Sequence, residues 1–355
     1  MQEPYIVASW PAVPVEIVRA AGFHPVMARG ASDPTPAADA HLEPGIFPSR
    51  LRHLVEDALT GRLSHAARII IPRTSDADYK CFLYLREFVR RGVATALAPI
   101  VLFDLLQSRG ADVRNYDVAR TRALLDELAS GSGRMPSADD LRREITRANA
   151  ARETARRLIA LRRIVPRVTG TEVFPLLASF WHMEPDRYVE MASEAASRIA
   201  ARQPLAGPRV LLTGAPVDGN TLHEAIESHG AVVVAEIGPW GSGAAGDDVR
   251  IDDDPVGALA DKYRADSIGA RTPVDSLRSW TEGMLDDIDA VVVSLPPDDA
   301  VFGWDYPALR DSLKARGIPH VCLRGDPHET PTPADHTALD SMVSAASTLP
   351  EARHG

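Results

Sequence analysis

The sequence predicts an α/β protein of two lobes, each a small parallel sheet flanked by helices, with a helical block between them. Three observations point there. Short apolar runs rich in β-branched residues alternate with helix-period segments through residues 1–112. Residues 113–203 show helical spacing alone. The alternation restarts over residues 204–355, after the Pro- and Gly-bearing linker candidate Gln203–Pro208. A chain of 355 residues is long enough for two domains.

In the first lobe Tyr5–Ser9 reads as a strand, Pro14–Ala21 as a helix and Val26–Ala28 as a second short strand. Pro48–Leu59 carries Leu51, Leu54, Val55 and Leu59 at helical spacing. Ala67–Ile71 is a buried-strand run, Asp78–Arg91 returns to the helical period, and Val93–Ala98 is expected as the next strand. In the helical block, Val118–Leu128 forms one helix and Ser130–Arg134 a flexible break. Ser137 caps a long helix that runs to about Ile164 and stops at Pro166, with Asp139 and Asp140 at its positive end. Its apolar stripe is Leu141, Ile145, Ala148, Ala155, Leu158 and Leu161. Its arginines, among them Arg152, Arg157 and Arg162, read as a solvated face with pairs such as Glu153 and Arg157. Pro185–Arg202 closes the block. In the second lobe the strands are Arg209–Thr213, Ala231–Ala235, Ile288–Ser294 and His320–Arg324, and the helices Thr221–His229, Tyr306–Arg316 and Thr337–Ala346.

Composition limits the function. Acidic residues outnumber basic ones 49 to 39, for a formal charge of −10, which argues against nucleic acid as a partner. Neither a basic segment leading an apolar stretch at the N-terminus nor an apolar run of membrane-spanning length is present, so a cytoplasmic protein without membrane contact is expected. Two cysteines, Cys81 and Cys322, fall short of a disulfide framework and of the three or four thiolates an iron–sulfur cluster takes from one chain. Both read as small buried hydrophobes. His320, His328 and His336, with Asp326 and Glu329, match no zinc spacing and read as solvated loop residues.

Ligands of open parallel sheets bind beyond the carboxyl ends of the strands. Four such ends carry polar or turn residues: Pro72–Asp76, Thr213–Asn220, Glu236–Gly243 and Ser294–Asp299. The Thr213–Asn220 segment, with Gly214, serves either as a phosphate cradle or as simple turn chemistry; it is neither a Walker A sequence nor a dinucleotide fingerprint. Glu236–Gly243 is either a mobile loop with Trp240 as an apolar lid or a plain surface loop. Ser75 lacks the surroundings of a nucleophilic serine.

Several segments resemble the 2-hydroxyacyl-CoA dehydratase D-component family, which includes benzoyl-CoA reductase subunits. Val13–Val26 (VPVEIVRAAGFHPV) resembles the family's VP-x-E-L-I-x-A-A-G-x-x-P-V opening, and Leu141–Leu158 its central I-x-x-x-N-x-x-R helix. Arg209–Glu236 resembles the start of its second lobe, and Gly317–Asp326 its G-I-P-x-L-x-L-E-x-D strand. The resemblance implies a lyase or aromatic-CoA reductase subunit working in a dimer of related chains. Each such subunit holds a [4Fe–4S] cluster on three cysteines, an ATP-dependent activator supplies an electron, and the acyl-CoA thioester lies in a cleft between the lobes.

The departures from that pattern are at the cluster positions. Where the family has its three cysteines, this chain has Ser75, Pro239 and Pro296. A cluster-free subunit is therefore expected, with no metal or cofactor of its own, that helps form the acyl-CoA cleft and pairs with a cysteine-bearing homologue, which would hold the [4Fe–4S] cluster, or with itself. The alternative is a non-catalytic paralogue that keeps the fold and binds acyl-CoA or regulates. With the resemblance, Glu16, Ser49, Arg50 and Arg73 become candidate cleft contacts, Glu16 also a candidate catalytic residue, and the strand-end residues Ser75, Gly214 and Trp240 are further substrate-binding candidates. Asp76, Asp298 and Asp299 are candidate acid–base groups at the vacated positions.

Overall fold

The computed structural model describes residues 4–348 except 95, 109 and 267. In chain order its elements are β1 (Tyr5–Ala8), α1 (Val15–Ala20), β2 (His24–Met27), α2 (Pro36–Asp39), α3 (Ser49–Leu59), β3 (Arg68–Pro72), α4 (Asp76–Arg90), β4 (Ile100–Phe103), α5 (Ala111–Ser132), α6 (Ala138–Arg163), α7 (Gly170–Ala178) and α8 (Pro185–Ala200). There follow β5 (Arg209–Gly214), α9 (Thr221–Glu227), β6 (Val232–Glu236), α10 (Pro255–Asp266), α11 (Val274–Glu282), β7 (Ala290–Ser294), α12 (Tyr306–Ala315), β8 (His320–Leu323) and α13 (Pro333–Ser347). The chain forms two compact units. The first comprises Met1–Glu153, Phe180–Tyr188 and Gly246–Ser267; the second comprises Thr154–Ser179, Val189–Ala245 and Ile268–Gly355. Among the described residues no helix is long and apolar enough to cross a membrane.

Unit 1 is built on a four-stranded sheet in the order β2-β1-β3-β4, every pair parallel. Strands this apolar are wanted only where both faces are covered. Val7, Ile69 and Ile71 point into one core with Leu51, Leu54 and Val55 of α3 and Cys81, Leu85 and Phe88 of α4. The alternate residues Ile6, Ala8 and Ile70 are equally buried. Unit 2 repeats the arrangement: its sheet is β6-β5-β7-β8, again all parallel. Leu211, Val232, Val234, Val291 and Val293 form its core with Leu313 of α12. In each sheet the first strand pairs with both the second and the third, so each has a switch point beside its first strand.

The structure moves several expected elements. Val93–Ala98 is no strand: apart from residue 95, which lies outside the described residues, it is the turn after α4, with the Val93 and Ala94 amides closing on the Phe88 carbonyl. The strand is the next apolar run, Ile100–Phe103, which hydrogen-bonds along β3. The Gly- and Ser-rich Ser130–Arg134 does not break α5, which continues to Ser132 and ends at Gly133 in the left-handed conformation (φ 72°). Helices α7, α10 and α11 were not anticipated from the sequence.

Helix α6 starts where its cap predicts. The Ser137 hydroxyl accepts from the Asp140 amide at 3.1 Å, and the Asp140 carboxylate accepts from the Ser137 amide at 3.0 Å. Its stripe is buried at Leu141, Ile145, Ala148, Ala155 and Leu158. Two of its arginines are not solvated, against the sequence reading. Within unit 1, Arg152 is 1 % exposed and its Nη2 donates to Glu16 Oε1 at 2.5 Å. Within unit 2, Arg162 is fully buried and donates to both oxygens of Glu236, at 2.6 and 3.0 Å. Removing one partner of such a pair leaves a buried charge alone. Arg152→Ala is therefore expected to cost about 3–5 kcal/mol in urea unfolding, and the double variant Glu16→Gln, Arg152→Met to recover much of that.

Candidate functional site

The substrate-side residues of unit 1 gather at the carboxyl ends of β1 and β3, beside the switch point of its sheet. Ser9 and Trp10 follow β1, Arg73, Thr74 and Ser75 follow β3, and Ser49 and Arg50 open α3. Arg50 lies over the Trp10 ring at 4.7 Å. Its Nη1 donates to the Ser9 carbonyl at 3.0 Å and meets Asp78 Oδ1 at 2.8 Å. Asp78 Oδ2 accepts from the hydroxyls of Thr74 and Ser75 at 2.7 and 2.8 Å. The Ser75 hydroxyl in turn accepts from the Asp78 amide at 3.1 Å and so caps α4. Ser49 Oγ donates to the Ala31 carbonyl at 2.8 Å. Arg73 donates to Asp104 at 3.2 Å and lies over the Tyr79 ring at 4.7 Å.

Arg50 makes its polar contacts through Nη1 alone, among the described residues. The buried Ser9 hydroxyl beside it has no hydrogen-bond partner among them. The Ser75 hydroxyl is given to Asp78 and caps α4. Asp76 is 90 % exposed, 4.0 Å from Arg73. Glu16 is not at any surface. Burial opposes its charge, but Arg152 and a 2.9 Å hydrogen bond from Tyr263 Oη hold its carboxyl below the usual range. Both its oxygens are engaged inside unit 1.

In unit 2, Gly214 ends β5 at φ +94°, and a Cβ there would lie 2.3 Å from the Ser294 carbonyl oxygen. Only glycine lets β5 leave so close to β7. The Glu236–Gly243 loop is neither a lid nor a plain surface loop: Trp240 is fully buried. The cause is Glu236, which accepts from the Ser242 amide at 2.5 Å and the His223 Nε2 at 3.1 Å as well as from Arg162. Against the cost of burial, Arg162 and His223 hold this carboxyl well below the usual range. Pro239 lies in that loop and Pro296 follows β7. Asp298 is half-buried. Asp299 spends its carboxylate on the amides of Val301, Phe302 and Gly303 at 2.7–3.2 Å.

Two features of unit 2 escape the sequence reading. His328 is no solvated loop residue. Its Nε2 donates to Asp218 at 2.6 Å and its Nδ1 to Asp326 at 2.9 Å, tying the loop after β5 to the loop after β8. The Asp-x-His spacing was the available signal, because Asp326 also accepts from the His328 amide. The second feature is a cavity of about 270 Å³ at the carboxyl ends of β5 and β7, walled by Ile237, Val293, Leu277 and Phe302 and reaching Gly214. Its α11 wall lies in a stretch without a sequence assignment.

The three implied cluster positions do not fit a cluster held by this chain. Ser75 Oγ is committed to α4, and Pro239 and Pro296 have no donor. Burial, and Asp78 next to it, push the Cys81 thiol up to about 12, so it stays protonated in the core. Burial also raises Cys322, on β8. Among the described residues no group of three or more His, Cys, Asp or Glu side chains is disposed to hold a metal ion.

The His328 clamp has a pH signature. Burial opposes the imidazolium, but hydrogen bonds to Asp218 and Asp326 raise its pKa from 6.5 to about 10. A raised folded-state pKa gives stability that is complete below about 6.5 and is lost as pH rises through about 10. His328→Gln is expected to lower stability by about 2–4 kcal/mol at pH 6 in urea titration, with the gap to the parent closing by pH 10.5.

No curated protein matches the sequence. The model of one family, described as 2-hydroxyglutaryl-CoA dehydratase, D-component, matches residues 12–336. That span takes in seven of the eight strands and nearly the whole chain. The chain belongs to the 2-hydroxyglutaryl-CoA dehydratase D-component family.

Proposed function

We propose that this chain is the cluster-free subunit of a 2-hydroxyacyl-CoA dehydratase-type complex. It pairs with a cysteine-bearing homologue that holds the [4Fe–4S] cluster, and it contributes part of the acyl-CoA-binding surface. The observation that carries this reading is the donor chemistry at Ser75, Pro239 and Pro296: one capped hydroxyl and two prolines cannot replace three thiolates. Family membership supports work in a multi-subunit dehydratase. The Arg50 corner of unit 1 supports thioester or phosphate contact, because a guanidinium steadied by Trp10 and Asp78 keeps donors for an incoming oxygen. In this reading Glu16 is a positioning residue that holds α1 through Arg152 and Tyr263. Ser49 likewise steadies the start of α3.

The test is iron and acid-labile sulfide on protein purified without oxygen, alone and co-expressed with its cysteine-bearing homologue. The expected result is no iron in the lone chain and one cluster per heterodimer. Stoichiometric iron in the lone chain sinks the proposal. A homologue that loads its cluster without binding this chain favours a non-catalytic acyl-CoA-binding paralogue instead. For the binding surface, Arg50→Lys keeps a charge for Asp78 but loses the guanidinium fork. It is expected to weaken acyl-CoA binding about tenfold by calorimetry.

A further inference from the structure

The cavity of unit 2 has a construction of its own. Its body is apolar, from Ile237, Leu277, Val293 and Phe302. Two threonines line it that are almost wholly buried, Thr213 at 3 % exposure and Thr281 at 6 %. Among the described residues neither hydroxyl has a hydrogen-bond partner, and neither is among the polar atoms sealed from solvent. Buried hydroxyls that stay unbonded beside an open cavity are waiting for a guest's polar atom or for water.

The charge around the cavity is also arranged. Tyr306, Ala308 and Leu309, in the first turn of the ten-residue α12, form part of the wall, so the positive end of that helix is presented to the cavity. Asp305 occupies the N-cap position but makes no capping hydrogen bond. It accepts instead from Arg278 Nη2 of α11 at 2.5 Å. Among the described residues that is the one polar contact of Arg278, so most of its five donors remain for another acceptor. Cation, helix end and two hydroxyls meet around one apolar chamber, at the switch point where a parallel sheet places its ligands.

We infer that this cavity binds a compact, mainly apolar monocarboxylate, its hydrocarbon body in the chamber and its carboxylate between Arg278, the N-terminus of α12 and the hydroxyls of Thr213 and Thr281. The inference does not depend on the cluster assignment, since none of these residues holds a cluster position. Asp305 pairs with Arg278 in the cavity wall, and the guest's carboxylate shares the guanidinium with it. Glu282, on the exposed rim, sets the competing case of an ammonium guest.

The test is calorimetric titration of the full chain with a matched set: isovalerate, phenylacetate, isovaleramide, isoamylamine and isovaleryl-CoA. The expected result is that a free carboxylate binds at least tenfold more tightly than the amide and the amine. Arg278→Gln removes that preference. Leu277→Trp, a filling change on the half-buried face of α11, abolishes binding while circular dichroism and the unfolding midpoint stay as in the parent. Thr281→Val, close to isosteric, weakens the carboxylate several-fold without altering the fold. Equal or tighter binding of the amine overturns the charge assignment. Binding that survives Leu277→Trp, binding of the CoA thioester alone, or no binding of either acid at 10 mM overturns the site.

Discussion

A parallel sheet covered on both faces has nowhere for polar chemistry except its strand ends, and both units obey that constraint. Ile6, Ile70, Val210 and Val292 are as buried as the alternate residues beside them, so neither face of either sheet is free to carry a site. The polar features described above gather at strand ends: the Trp10–Arg50–Asp78 corner, the Gly214 exit, the Glu236 loop and the Asp326–His328 turn. Each unit opens its crevice beside its own first strand, because each runs second-first-third-fourth.

Two buried carboxylates come in paired sets. Glu16 is met by Arg152 and Tyr263, and Glu236 by Arg162, His223 and Ser242. Such sets add little net stability over apolar packing of the same volume, and their value is positional. Glu16 fixes the short α1 that leaves β1, and Glu236 folds its own following loop inward and takes Trp240 with it. The cost of burying these charges is accepted where a strand end must be held in one geometry.

Much of the fold was legible in the sequence. Period-two and period-3.6 patterning is strongest where a residue has one dry side, and β1, β3, β5, β6 and β7 all fall where their apolar runs place them. The misplacements have local causes. Val93–Ala98 has the composition of a strand, but the chain must first turn back from α4, and the run after Pro99 pairs instead. The arginines of α6 show the limit of reading a charge pattern. Nothing in the helix itself says that Arg152 and Arg162 face inward, because the carboxylates that draw them in lie 136 and 74 residues away. At the site, Ser75 was found through its place at a strand end and Arg50 through the resemblance to the family. Thr213 was named only within a strand-end segment, and Thr281 and Arg278 were not found, because residues on separate elements come together only when α11 and α12 pack over the sheet.

The order of segments in unit 1 also shapes how the protein is made. Its closing piece is Gly246–Ser267, and Tyr263 of that piece supplies a hydrogen bond to Glu16 across 247 residues of chain. At translation speeds of about 5–20 residues per second, Glu16 is made roughly 10–50 s before that partner exists. Throughout that interval the Glu16 carboxylate lacks Tyr263, and α5 lacks the α10 that packs on it. Truncations that end before residue 246 lack this piece and cannot complete the first unit.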